Sequence, residues 1–270
     1  MKQNVKETRW IDERGTLSRA RIVVVKFGGS LLRGLRDYRA CAAHLARRLA
    51  AHPDDRVVAV VSARYGVTQR LARLAQAMNA EPDATARDLL WSTGETYSAA
   101  VLTLALQGAG VDATCLGPHE TGLYLEYGDA LHCVPERVSD RFAIHSVVVV
   151  PGFVAPDCDG RLRSLGRGGS DLTAVTLADA LAADRCEIVK DVAGYFTQDP
   201  HTSARATPIR ELSYDEAMRK ARSGCGVVQA AALARAAKRG VVLHVRDLAG
   251  EAPGTWVRRE VKPADRRVVA

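Results

Sequence analysis

The sequence predicts an α/β fold: a three-layer αβα sandwich with a mainly parallel central sheet. Short β-branched runs at 22–25, 57–61, 146–150, 186–189 and 241–245 are apolar with little alternation and are bounded by Gly, Pro or charged residues. Such runs suit strands covered on both faces, as in a parallel sheet. Helix-length stretches lie between them, and that order is what crossover connections between parallel strands require. The third observation is bulk: 270 residues, 47% hydrophobic and 26% charged, give the composition of a globular protein and the length of one large domain or two intimate lobes.

Taken in order, residues 1–20 are polar and charged and read as an N-terminal extension. The first run ends in Lys26-Phe27-Gly28-Gly29-Ser30, a strand breaking into a turn. Helical patterning follows at 37–51, then the second run, then helices over 68–79 and 84–109. From 117 to 135 the pieces shorten around Gly122 and Gly128, which predicts a hairpin excursion in place of a crossover helix. After the third run, 155–166 is rich in turn residues and suits a lid or substrate rim. Helices are expected over 170–183, 214–222 and 227–239 around the last two runs. Pro253 and Gly254 mark a turn before an edge strand at 255–257, and 260–270 reads as a tail. No repeat, low-complexity segment or linker interrupts the chain.

The net charge of +7 comes from basic residues scattered along the chain, and only 5% of residues are aromatic. An anionic small substrate fits this better than nucleic acid, because no basic run is interleaved with stacking rings. Six cysteines, Cys41, Cys115, Cys133, Cys158, Cys186 and Cys225, lack metal-site spacing and read as small buried hydrophobes of a reducing compartment. The N-terminus lacks a signal-peptide core and no run of 18 apolar residues occurs, so a cytoplasmic protein without membrane contact is expected.

Four stretches bear chemistry. In Lys26-Phe27-Gly28-Gly29-Ser30, paired glycines let backbone N–H groups crowd a phosphate while the lysine adds charge; read alone, this is equally a tight turn beside an incidental lysine. Gly166-Arg167-Gly168-Gly169-Ser170-Asp171 repeats the arrangement, with Ser170 able to cap the helix that follows; a glycine turn with an N-cap is the plainer reading. Glu95, in Ser92-Thr93-Gly94-Glu95, either binds a substrate ammonium or favours a helix N-terminus, and unaided the second reading is stronger. Lys190-Asp191, leading to Phe196 and Asp199-Pro200, follows a buried strand at the edge where open α/β sheets bind ligands.

In sequence order, VVVKFGGS (23–30), VVSARYGVTQRL (60–71), STGETYSAA (92–100), PGFV (151–154), LGRGGSDLTA (165–174), KDVAGYFTQDP (190–200), ELSYDEAM (211–218) and EAPGTWV (251–257) resemble the catalytic domain of aspartate kinases, within the amino acid kinase superfamily. The resemblance implies the amino acid kinase fold over 21–259, with an amino-acid-binding lobe at about 21–185 and a nucleotide-binding lobe at about 186–259. It implies phosphorylation of the side-chain carboxylate of L-aspartate, or a close analogue, by ATP. Mg2+ would be carried by the ATP phosphates, with no protein metal ligands, and the protein would be a homodimer. Lys26 would lie along the transferring phosphoryl, with Gly28, Gly29 and Ser30 around its oxygens, and Asp171 would orient Lys26. Arg167 would clamp the α-carboxylate and Glu95 the α-ammonium, with Thr68 and Ser170 completing the acceptor pocket. Gly168, Gly169, Lys190, Asp191 and Phe196 would face the phosphates and nucleotide.

The departures fall mainly in the nucleotide half. Gly226-Val227-Val228-Gln229-Ala230 stands where the family has Lys-Val-Leu-His-Pro, Phe196 and His201 replace Tyr and Arg, Lys190 replaces a common threonine, and Leu31 replaces a hydroxyl residue. The alternative is therefore a divergent relative that binds an amino acid without turnover, or that uses another acceptor or donor. The chain also ends about where the family's ACT regulatory domains begin, so feedback through such domains is not expected.

Overall fold

The computed structural model describes residues 21–259, apart from 128, 129, 199–201, 204, 225 and 251, together with an antiparallel strand pair at Arg9–Ile11 and Leu17–Arg19. Gly128, Asp199-Pro200, His201, Cys225 and the 260–270 tail lie outside the described residues, as does the rest of the N-terminal extension.

Among the described residues the central sheet has eight strands: β1 (Ile22–Phe27), β2 (Arg56–Val61), β3 (Ala113–Cys115), β4 (Val147–Pro151), β5 (Arg185–Lys190), β6 (Glu211–Leu212), β7 (Leu243–Asp247) and β8 (Thr255–Val257), in the order β6-β8-β7-β5-β1-β2-β4-β3. Every neighbouring pair is parallel except β7 with β8. The helices are α1 (Leu35–Ala51), α2 (Val67–Met78), α3 (Ala84–Gly108), α4 (Gly169–Ala180), α5 (Tyr214–Arg222) and α6 (Ala230–Arg239), with one turn of helix at Glu136–Ser139 besides.

The valine runs behave as their lack of alternation predicts. In β1, Val24 joins Val58, Val60, Ile188 and the α4 residues Ala174, Val175 and Leu177 in one buried cluster. Val23, Val25 and Phe27 join Cys41 and Leu45 of α1 and Leu102 and Leu106 of α3 on the opposite face. Both faces are thus covered, and α2 packs outside against α3. Helix starts follow local chemistry. Asp37 accepts from the Gly34 N–H at 2.7 Å to open α1, Asp83 accepts from Ala86 at 2.9 Å to open α3, and Ser213 with Glu216 forms a capping box on α5.

The predicted hairpin over 117–135 is present as Leu123–Leu125 paired with Leu131–Cys133, and the turn-rich 155–166 closes a second one, Val154–Pro156 with Leu162–Ser164. Other expectations are corrected. The strand at 255–257 is not an edge, because β6 pairs outside it. The last helix begins at Ala230, with 227–229 a loop. Cys41 and Cys186 are buried, but Cys115 and Cys158 are exposed, so the cysteines are not uniformly core residues. Among the described residues no helix is long and apolar enough to cross a membrane.

Candidate active site

Lys26 is the fifth residue of β1, on the face covered by α4, and Lys190 ends the adjacent strand β5. The first turn of α4 brings Asp171 between them. Lys26 Nζ stands 2.7 Å from Asp171 Oδ1, and Lys190 Nζ stands 3.3 Å from Oδ2. Asp171 is 1% exposed and Lys26 4%. The Gln229 N–H, just before α6, donates to Asp171 Oδ2 at 3.4 Å. Burial pushes the Asp171 carboxyl up, but the ammonium groups of Lys26 and Lys190 outweigh it and hold the pKa down at about 2. Lys190 moves the other way: burial first, then Lys26, lower it to about 8, with Asp171 opposing. Two ammonium groups and one carboxylate leave the cluster cationic, which suits an anionic ligand.

Two glycine turns close on this cluster. A Cβ at Gly29 would stand 2.8 Å from the Ala63 carbonyl oxygen, so the turn after β1 lies directly on the loop after β2. Gly168 has φ +83°, and a Cβ there would stand 2.2 Å from Gln229 Cγ. Glycine is thus required twice over at the N-terminus of α4, whose first residues line the same cavity as the cluster. The turns, the lysines, Asp171 and Glu95 line one cavity of about 340 Å³ at the C-terminal edge of β1, β2 and β5, the edge at which open α/β sheets bind ligands. Phe153, a non-glycine residue at φ +71°, forms part of the wall, its N–H donating to Thr173 Oγ1 at 3.3 Å.

The sequence signature of the amino acid kinase family matches residues 21–247. The chain belongs to the amino acid kinase family. Within that family it is similar to an aspartokinase of Thermus thermophilus, at 36% identity over 253 residues, covering 92% of this chain and 62% of that one. The aspartate kinase of Synechocystis superposes with a TM-score of 0.80 at 33% identity, over 90% of this chain and 40% of that one. The aspartokinase III of E. coli, solved with aspartate and ADP, shares the fold with a TM-score of 0.75 at 23% identity, over 90% of this chain and 65% of that one. This amino acid kinase sequence therefore spans less than two thirds of the length of these aspartokinases.

Of the predicted site residues, the family fold brings Lys26, Gly29, Ser30, Thr68, Glu95, Gly168, Gly169, Ser170, Asp171 and Lys190 to the cavity wall. Gly28 lies under them, its N–H donating to the Val189 carbonyl at 3.3 Å. Arg167 and Asp191 are exposed and stand outside the lining, and Phe196 sits on a short strand paired with Pro208. Ser170 does not cap α4: the N-cap is Gly168 and no side chain bonds there. Glu95 is not at a helix start either, since it lies mid-way along α3, whose cap is Asp83. The sequence reading missed Ser62–Gly66, Gln69, Phe153 and Gln229 as wall residues. The loop after β2 was detectable in principle, because it leaves the same strand edge as the glycine turn; Gln229 carried no such signal.

Glu95 is 3% exposed, and its Oε2 has no hydrogen-bond partner among the described residues. Burial raises its pKa to about 8, with the Ala63 backbone and Lys26 pulling it back only in part. A raised carboxyl binds a proton in the folded state that it has lost in the unfolded one. Its stabilisation is full below about pH 4.5 and disappears as pH rises through 8. Glu95→Gln is therefore expected to match the wild type in urea midpoint near pH 5 and to exceed it increasingly towards pH 8. Parallel midpoints across that range would remove Glu95 from the buried titrating groups.

Proposed function

We propose that the chain transfers the γ-phosphoryl group of ATP to the side-chain carboxylate of L-aspartate or a close analogue. The observation that carries this is the convergence of Lys26 and Lys190 on one buried Asp171 beside two glycine turns. The 36% identity to an aspartokinase over most of the chain supports the choice of acceptor. An acceptor carboxylate oxygen forms the new bond to phosphorus as the bond to the bridging oxygen of ADP breaks; the carboxylate is already ionised, so no general base is needed. What remains is positioning and charge neutralisation. Lys26 and Lys190 neutralise the phosphoryl oxygens, Gly29 and Ser30 hold them through main-chain N–H groups, Gly28, whose own N–H is turned to Val189, lets the turn pass close to Lys26, and Asp171 keeps the ammonium groups apart and aimed. Glu95, once ionised, takes the α-ammonium, while Arg167 at the rim takes the α-carboxylate, with Thr68 and Ser170 between them. Gly168, Gly169, Asp191 and Phe196 face the nucleotide.

The cationic cluster beside the N-terminus of α4 fits a polyphosphate. Mg2+ would be bound by the ATP phosphates and would supply further neutralisation of developing charge there. The division into an acceptor lobe at 21–185 and a nucleotide lobe at 186–259 belongs to the same reading, as do a cytoplasmic homodimer and the absence of nucleic-acid and membrane partners.

The test is ADP release with Mg-ATP and L-aspartate, trapping acyl phosphate as hydroxamate. Hydroxamate that requires aspartate is expected. ADP release without it would direct attention to another acceptor. A second reading, amino-acid binding without turnover, draws on the uncharged 226–232 segment beside Asp171; aspartate binding with neither ADP nor hydroxamate would establish it.

A further inference from the structure

Among the described residues three cations line the cavity: Lys26, Lys190 and Arg64. The first two are committed to Asp171. Arg64, on the loop joining β2 to α2, is exposed, and its Nε–H donates to the Arg33 carbonyl at 2.8 Å. No carboxylate of the described residues pairs with its terminal nitrogens.

The position of Arg64 is built. The Ser62 N–H donates to Phe27 at 3.2 Å and the Tyr65 N–H to Leu32 at 2.9 Å, so hydrogen bonds on both sides tie the loop to the first glycine turn. The Nε bond then fixes the plane of the guanidinium, leaving its terminal N–H groups to bind a forked partner. Arg33, the other arginine nearby, is engaged: its Nε–H donates to the Ser30 carbonyl at 3.1 Å and its guanidinium lies over the Tyr65 ring at 4.8 Å. The cavity therefore has an acidic group at depth, Glu95 with an unpartnered buried oxygen, and a guanidinium at its mouth. A ligand that places an ammonium group inside and a carboxylate outside satisfies both.

We propose that Arg64 is a specificity-determining residue that reads the α-carboxylate of the amino-acid acceptor, from a different loop than Arg167. This rests on the reading of the cavity as an acceptor site. It makes the mouth doubly cationic and so selects against acceptors whose α-carboxylate is masked as an amide.

Calorimetry and steady-state kinetics with L-aspartate and L-aspartate α-amide test this on the wild type, Arg64→Met, Arg64→Lys and Arg167→Met. Arg64→Met is expected to raise Kd and KM for aspartate by about tenfold or more with kcat within about twofold, the scale of one lost charge-assisted pair. The α-amide should bind the variant and the wild type alike, so the preference between the two ligands narrows. Arg64→Lys should restore part of it, since charge returns without the fork. A merely structural arginine would weaken both ligands equally and leave their ratio unchanged, and that result overturns the proposal. So does a preference lost in Arg167→Met alone. A wild type that binds no aspartate defeats the acceptor reading itself, and the role of Arg64 with it.

Discussion

Lys26→Met is expected to lower phosphoryl transfer to aspartate by about a thousandfold, the upper end of what one preorganised charge contributes at a developing anion. The side chain is 4% exposed and its ammonium stands 2.7 Å from Asp171, so water does little to screen it. Methionine keeps the aliphatic length and the packing within β1, and Asp171 retains Lys190 as a partner. The fold should therefore survive, with an unchanged circular dichroism spectrum, while kcat falls and aspartate affinity changes little. A kcat within about tenfold of the wild type would mean that Lys26 does not face the transferring group.

The second large effect is on stability. Asp171→Asn leaves Lys26 and Lys190 facing each other without a counter-charge, and breaking a buried ion pair by removing one partner costs about 3–5 kcal/mol. Urea denaturation at pH 7 should show this loss, and the added substitution Lys190→Met should recover part of it by removing the repulsion. The wild-type contribution has a defined pH window. The Asp171 pKa is depressed from 3.8 to about 2, so its stabilisation is present above about pH 4 and is lost as pH falls through 2. An Asn variant as stable as the wild type at pH 7 would show that the cluster is more hydrated than its burial indicates.

The sheet was legible in the sequence where strands are buried on both faces: Val23–Val25 and Val57–Val61 could be little else, and both sit at its centre. Ala113–Cys115 and Glu211–Leu212 carry too few residues for a period, and it is pairing with β4 and β8 that makes them strands. The candidate site divides similarly. Glycine turns beside a lysine announce themselves locally, whereas Glu95 resembled a helix-start acid because its contact with the Ala63 backbone is with a loop some thirty residues away. The steric part of the demand for glycine at Gly168 comes from Gln229, and Arg64 becomes a wall residue only when the loop after β2 docks on the first turn. No local pattern records such contacts.

Register links the two lysines in another way. Lys26 sits directly opposite Ile188, and Lys190 lies one pleat further along on the same face. The separation of the two side-chain bases is therefore set by the spacing of strands and the rise along them, about 4.8 Å across and 6.6 Å along. The sheet acts as a ruler whose graduations are peptide units. Loops around the cavity can lengthen or change sequence without altering the gauge, but losing one residue from within β5 would turn Lys190 to the opposite face with both lysines and Asp171 still present in the chain.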